Sequence, residues 1–222
     1  MKSESLAENL HVINHPVILH NLTILRDKNT PSELFRNAAG RIAQVLLIKA
    51  TDNIPLETVS IETPLVETLS SIIDSKTEII IAPILRAGLA LSGMASDLIP
   101  TARIHHIGLY RDETTLKPVS YYNNLPVKLN NPYSTYVYLL DPMLATGGSA
   151  VAAIRLFTDL NIPQNNIRFI SLISAPEGID RLHSVFPDVK IVTACVDKAL
   201  NDVGYILPGL GDAGDRTFNT VY

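Results

Sequence analysis

The sequence predicts an α/β fold built on a mostly parallel, doubly wound sheet. Three observations predict it. Short, nearly continuous apolar runs rich in isoleucine, leucine and valine recur from Glu78 onward. Segments of helical period separate them, and the turns after the runs carry glycine, proline and aspartate. A strand that is apolar on both faces is covered on both faces, and this is the condition of a parallel sheet with helices on either side.

The elements follow in order. Thr30-Pro31-Ser32-Glu33 reads as a helix start, with Thr30 as cap, Pro31 at the first helical position and Glu33 completing a capping box. Leu34, Ala38, Ile42, Val45 and Leu46 then fall at helical spacing, and the helix ends before Asn53-Ile54-Pro55. Glu78 to Ala82 is a predicted strand, Gly88 to Leu98 a helix closed by Pro100, and Ile104 to Tyr110 a strand. Thr135 to Leu140 is a strand and Ser149 to Leu160 the helix behind it. Ile167 to Ser174, Pro176 to Val185 and Val189 to Val196 continue as strand, helix and strand. Arg111 to Pro132 has no helical period, and Tyr121, Tyr122 and Val127 point to an irregular β flap over about 111–131. The tail concentrates Gly204, Gly209, Gly211 and Gly214 around Pro208, which implies tight turns or backbone close to a ligand. No repeat or Gly/Ser linker divides the chain, so a single domain over residues 1–222 is expected.

Composition narrows the function. Hydrophobic residues make up 46% and charged residues 18%, enough for a sizeable core and against disorder. A net charge of −4 supplies no overall basic field, so no nucleic-acid partner is expected. The N-terminus lacks an apolar signal core and no apolar run is long enough to span a bilayer, so a cytoplasmic location without membrane contact is expected. The one cysteine, Cys195, excludes an internal disulfide and reads as a small buried hydrophobe in a reducing compartment.

Ligands of such sheets bind beyond the carboxyl ends of the strands. This directs attention to residues 83–88, 110–126, 141–149 and the tail after 196. Asp141-Pro142-Met143-Leu144-Ala145-Thr146-Gly147-Gly148-Ser149 runs from a strand into a helix. Free N–H groups at a helix N-terminus favour an anion, and the two glycines let the backbone close around it. Thr146 and Ser149 add hydroxyl donors, and the absence of lysine separates this turn from a nucleoside-triphosphate loop. Asp141 is a poor phosphate ligand and a good acceptor for sugar hydroxyls, so turn and aspartate together imply a sugar phosphate. A glycine-rich turn that merely caps a helix is the alternative.

Arg86 interrupts an apolar run at a strand's carboxyl end, and Arg111 holds the equivalent place one strand on. Each implies an anionic partner, either a second phosphate group or a structural salt bridge with Asp97, Asp112 or Glu113. Gly209-x-Gly211-x-x-Gly214 matches a dinucleotide fingerprint only as a bare pattern, because the fingerprint needs a strand before it, a helix after it and the length of a βαβ unit, and only eight residues follow Gly214. A backbone-lined pocket for a small planar ligand fits better, with Asp212 toward the reacting centre and Asp215 as a cap or a partner of Arg216. His105 and His106, adjacent in a strand, point to opposite faces, and no His/Cys cluster has metal-ligand spacing, so no protein metal site is expected.

Together these segments resemble the uracil phosphoribosyltransferases over nearly the whole chain from His15. The matching stretches are HPVILHNLTILRDKNT (His15 to Thr30), IETPL (Ile61 to Leu65), PILRAGL (Pro83 to Leu89), HIGLYRDE (His106 to Glu113), LLDPMLATGGSA (Leu139 to Ala150), SAPEGI (Ser174 to Ile179) and YILPGLGDAGDR (Tyr205 to Arg216). Pro142 replaces the second acidic residue of the broader phosphoribosyltransferase motif, as the uracil family does. Asn124 stands where the family often has lysine, and Val66 where a glycine is expected.

The resemblance implies a phosphoribosyltransferase-type sheet with an N-terminal helical arm and a β flap. It implies the reaction of uracil with phosphoribosyl diphosphate to give UMP and diphosphate in pyrimidine salvage. Carried over by position, Asp141 to Ser149 bind the ribose hydroxyls and 5′-phosphate, and Arg86 and Arg111 serve the diphosphate. Ile206, Gly211, Asp212 and Ala213 receive uracil, with Asp212 also facing the donor. Asp141, Arg111 and Asp212 form the implied catalytic set. Mg²⁺ would enter mainly on the diphosphate. A homodimer or homotetramer, and activation by GTP, are implied as in relatives. An enzyme for another base and an RNA-binding regulator on the same scaffold are the rival readings.

Overall fold

The isoleucine-rich run at Glu78 lies at the centre of the fold. The computed structural model describes residues 8–111 and 118–220. In chain order, β1 (Leu10–Val12) leads into α1 (Pro16–Arg26) and α2 (Ser32–Ala50). A hairpin of β2 (Leu56–Glu62) and β3 (Glu67–Ile73) precedes β4 (Glu78–Leu85) and α3 (Leu89–Leu98). Next come β5 (Arg103–Ile104), β6 (Ile107–Arg111), β7 (Pro118–Asn123), β8 (Thr135–Leu140), β9 (Met143–Leu144) and α4 (Gly148–Thr158). The chain closes with β10 (Ile167–Ser174), α5 (Pro176–Val185), β11 (Lys190–Val196), β12 (Ala199–Leu200), β13 (Ile206–Leu207) and α6 (Ala213–Phe218).

The main sheet orders its strands β1-β11-β10-β8-β4-β6-β7, with β5 beside β4 and β9 beside β10. Its described pairings are parallel except β6 with β7. Alternation along β8 divides the core in two. Tyr138 and Leu140 join Ile81, Ile170, Leu172 and Val192 under α1, α2 and α3. Val137 and Leu139 join Ile80, Phe169 and Ile191 under Ile154, Phe157 and Leu182 of α4 and α5. Because the strands are parallel, the carboxyl ends of β4, β6, β8 and β11 lie at one edge of the sheet.

Several elements depart from the sequence reading. The second helix starts one residue late, with Pro31 as its cap and no capping side chain. The Thr30 hydroxyl instead donates to the Ile24 carbonyl at 2.6 Å, satisfying one of the free carbonyls at the end of α1. The predicted strand from Ile104 breaks at His105 and His106 into β5 and β6. His105 N–H still bonds to Ile81 O at 3.0 Å, and its ring Nδ1 lies 3.2 Å from Asn124 O. The β2–β3 hairpin had no counterpart in the sequence reading. Leu56, Leu69 and Ile72 are exposed on it, so no buried face imposes a clean alternation. Of the flap, Asp112 to Lys117 lie outside the described residues.

Candidate active site

The site begins where β8 ends. Asp141 follows directly, and its N–H donates to Ile170 O at 3.1 Å. Pro142 O accepts from Leu172 N at 3.0 Å and Ile173 N at 3.2 Å, and Met143-Leu144 then pair as β9 with Ile173-Ser174 of β10. The turn is thus held on β10 before it reaches Ala145, Thr146 and the start of α4. Gly147 caps α4 with φ +74°, and a Cβ there would lie 2.8 Å from Gly178 O, so both the conformation and the packing require glycine. Asp141 and Met143 to Ala150 line a concavity of about 70 Å³ at the helix N-terminus. The polar groups of its lining residues, amide N–H groups, the Thr146 and Ser149 hydroxyls and one carboxylate, have the chemistry of a phosphate cradle beside a hydroxyl acceptor. A larger cavity of about 350 Å³ opens at the opposite end of β4, by Lys76, Glu78 and Arg103, away from these turns.

Asp141 is half-buried. Burial pushes its carboxyl up to about 7, against a smaller opposing effect from a Met143 backbone hydrogen bond. Without ligand, the group sits near the point of sharing its proton at neutral pH. A ligand that donates hydroxyls to it favours the carboxylate.

Arg86 lies just beyond β4, after a cis Leu85–Arg86 peptide. Its Nη2 is 3.5 Å from Asp215 Oδ1. The partner is therefore Asp215 rather than Asp97; Asp112 and Glu113 lie outside the described residues. Arg111 ends β6, and its side chain is outside what the structure describes.

The C-terminal loop, from β13 to α6, meets the turn after β4, where a Cβ added to Gly214 would lie 3.9 Å from Ala87 Cβ. Ile206 and Ala213 are buried, while Gly211 and Asp212 are exposed. Asp212 caps α6, its Oδ1 accepting from Asp215 N at 2.9 Å. The expected Asp215–Arg216 pair is absent. Arg216 turns away to donate to the carbonyls of Leu25, Leu210 and Asp27, with its guanidinium 4.5 Å from the centre of the Phe35 ring. Asp215 accepts instead from the Thr220 hydroxyl at 2.7 Å.

Sequence reasoning missed Arg26 and Asp197. Arg26 binds Asp197 through both nitrogens, at 2.6 and 2.9 Å. Burial of Asp197 works against its ionised form, but the Arg26 and Gly209 hydrogen bonds outweigh it and hold the carboxyl below its ordinary range. The signal that could have found Asp197 is its place just after a strand's carboxyl end, which it shares with Asp141. Among the described residues no group of three or more His, Cys, Asp or Glu could hold a metal ion.

Comparison with known proteins gives a consistent result. The family model described as uracil phosphoribosyltransferase matches residues 12–220. The uracil phosphoribosyltransferase of Dictyoglomus thermophilum is 48% identical over 94% of this chain and 98% of its own length. That of Clostridium perfringens is 48% identical over 94% and 97%. A solved protein of Aquifex aeolicus superposes with a TM-score of 0.87 at 34% identity, covering 96% of this chain and all of that one. An adenine phosphoribosyltransferase of Trypanosoma brucei, solved with AMP, pyrophosphate and ribose-5-phosphate, shares the fold at a TM-score of 0.57 and 12% identity over 85% and 84% of the two chains.

Proposed function

The chain belongs to the uracil phosphoribosyltransferase family, a glycosyltransferase that forms UMP and diphosphate from uracil and phosphoribosyl diphosphate, and within that reaction we propose a role for each site residue. The turn from Asp141 to Ser149 holds the donor, its amides on the 5′-phosphate and Asp141 on the ribose hydroxyls. Arg86 and Arg111 draw charge off the departing diphosphate. Ile206, Gly211 and Ala213 receive uracil, and Asp212 stands between base and donor. The carrying observation is the concavity at the start of α4 with Asp141 at its rim.

The chemistry is displacement at the anomeric carbon through a transition state of oxocarbenium character. These residues bring the pyrimidine nitrogen into line and stabilise the leaving group. In the same reading the chain is one domain, with a flap over about 111–131 closing on the donor and a base loop over about 200–216. The donor set suits a Mg²⁺ bound chiefly by substrate oxygens and water, to which the exposed Asp212 carboxylate could add a protein oxygen. When bound, the ion neutralises charge on the diphosphate.

The assay that tests the reading is UMP formation with and without Mg²⁺, using uracil beside cytosine, hypoxanthine and orotate. Mg²⁺-dependent product from uracil alone is expected. Product from another base in its place overturns the base assignment, and no product from any base overturns the activity. The RNA-binding alternative is set aside, since the curated relatives carry the enzyme's name.

A homodimer or homotetramer is part of this proposal. The β2–β3 hairpin supports it by presenting Leu65, Val66 and Leu69 at 94%, 65% and 72% exposure. GTP activation rests on the family resemblance, and titrating GTP into the same assay tests it. A cytoplasmic location is supported by the free thiol of Cys195. Among the described residues no helix is long and apolar enough to cross a membrane.

A further inference from the structure

We propose that Arg26 and Asp197 are positioning residues for the uracil subsite, holding the loop from Ile206 to Ala213 in its base-receiving shape through the two backbone groups of Gly209. The inference rests on the assignment of that loop to uracil. Neither residue belongs to the donor-binding set, and neither is placed against a reacting atom.

The geometry is a closed ring of hydrogen bonds. Arg26, the last residue of α1, meets Asp197, the first residue after β11, in a two-point pair with Nη2–Oδ1 at 2.6 Å and Nη1–Oδ2 at 2.9 Å. Arg26 Nη1 also donates to Gly209 O at 2.8 Å. Asp197 Oδ2 accepts from Gly209 N–H at 2.9 Å. Donor and acceptor of one peptide residue are thus bound by the two halves of one ion pair. Gly209 has φ +62°, and a Cβ there would run into the Ile206 carbonyl oxygen, so the loop reverses at the point the pair grips.

Side chains, not backbone, hold this turn. The hydrogen bonds described for Gly209 and Leu210 all come from side chains: Arg26, Asp197 and, at Leu210 O at 2.7 Å, Arg216. Gly211 follows with no described hydrogen bond of its own among these interactions, and it is the backbone at Gly211 to Ala213 that meets the base. A backbone pocket recognises a planar ring by where its N–H and C=O groups point, so a small rotation of the loop changes affinity without touching the donor's cradle at the start of α4. With side-chain exposures of 27% and 6%, the pair is screened enough from water for its charge-assisted bonds to hold that rotation. A lysine at position 26 would keep the charge but lose the fork that reaches Asp197 twice and Gly209 once.

The experiment compares R26K, D197N and a control, R36A, in the full-length enzyme. Arg36 ties the same end of the chain by donating to Thr217 O at 2.8 Å, and none of its described hydrogen bonds goes to the base loop. Steady-state constants for both substrates and melting temperatures are measured. R26K and D197N are expected to raise KM for uracil about tenfold or more, the scale of one charge-assisted hydrogen bond, while KM for phosphoribosyl diphosphate stays within about twofold. Their double variant is expected to be no worse than the more severe single one, because the two side chains act as a unit. R36A is expected to shift the melting temperature with uracil KM unchanged.

An unchanged uracil KM in a folded R26K or D197N overturns the inference. So do an equal rise in both KM values and the same split in R36A. Loss of folding in both variants overturns it as well, marking the pair as a structural tie alone. A wild-type enzyme that makes no UMP overturns the activity and the inference together, whereas wild-type turnover with unshifted variants overturns the inference alone.

Discussion

Arg86 and Asp215 face each other between the turn after β4 and the C-terminal helix α6, with Nη2 3.5 Å from Oδ1. Their side chains are 62% and 38% exposed. A pair so open to water contributes little to stability, and exchange of the carboxylate for a diphosphate costs little. Arg86→Ala is therefore expected to raise KM for phosphoribosyl diphosphate about tenfold to a hundredfold with an unmoved melting temperature. Isothermal titration with the donor and a thermal melt check it; undiminished donor affinity would take Arg86 out of the diphosphate site.

Asp141→Asn is expected to retain the fold and lose most turnover, by about tenfold to a hundredfold for the charge-assisted bond removed. Circular dichroism and steady-state kinetics test this, and unchanged turnover removes Asp141 from the site.

The same variant has a pH signature in the ligand-free protein. The folded pKa of Asp141 is raised from 3.8 to about 7, so the folded state binds a proton that the unfolded state releases. The favourable contribution is present below about pH 4 and lost as pH rises to 7. Relative to wild type, Asp141→Asn should gain roughly 1–3 kcal/mol between those limits, a figure reduced from the full shift because the residue is partly open to solvent. Denaturant melts of both proteins at pH 4 and pH 8 measure it. A constant difference across that range would contradict the burial argument.

Gly147→Ala is expected to weaken the donor site. The residue has φ +74° and Gly178 O lies 2.8 Å from where a Cβ would stand. The left-handed conformation alone costs about 1–2 kcal/mol for an L-residue, and the clash adds to it. Donor affinity should fall at least about tenfold; calorimetry showing wild-type affinity would contradict the cradle.

Gly211→Val is expected to impair uracil use. The space around Gly211 is open, with only Arg216 Cδ at 3.7 Å from an added Cβ, so the obstacle is its φ of +78° rather than a collision. A β-branched residue resists that conformation, and the loop should turn away from the base. A normal KM for uracil in this variant would remove Gly211 from the pocket.

The sequence by itself determined what local chemistry controls. Near-continuous apolar runs at Glu78, Thr135, Ile167 and Val189, separated by helices, indicate strands buried on both faces of a parallel sheet, and the structure forms strands at all four. The turn from Asp141 to Ser149 was legible because strand, aspartate, glycines and helix start lie within a few residues of one another. Partner choice was not legible. Arg86 with Asp215 and Arg216 with Leu25 are contacts between segments far apart in the chain, and residue type alone ranks many carboxylates and carbonyls equally. The Arg26–Asp197 pair joins residues 171 positions apart. Only the tertiary fold, which sets the end of α1 beside the end of β11, brings them within reach, and only then does a helix-terminal arginine acquire a role at the base loop. The β2–β3 hairpin escaped for a related reason: no face of it is buried by the rest of the described chain, so its sequence carries no burial pattern to read.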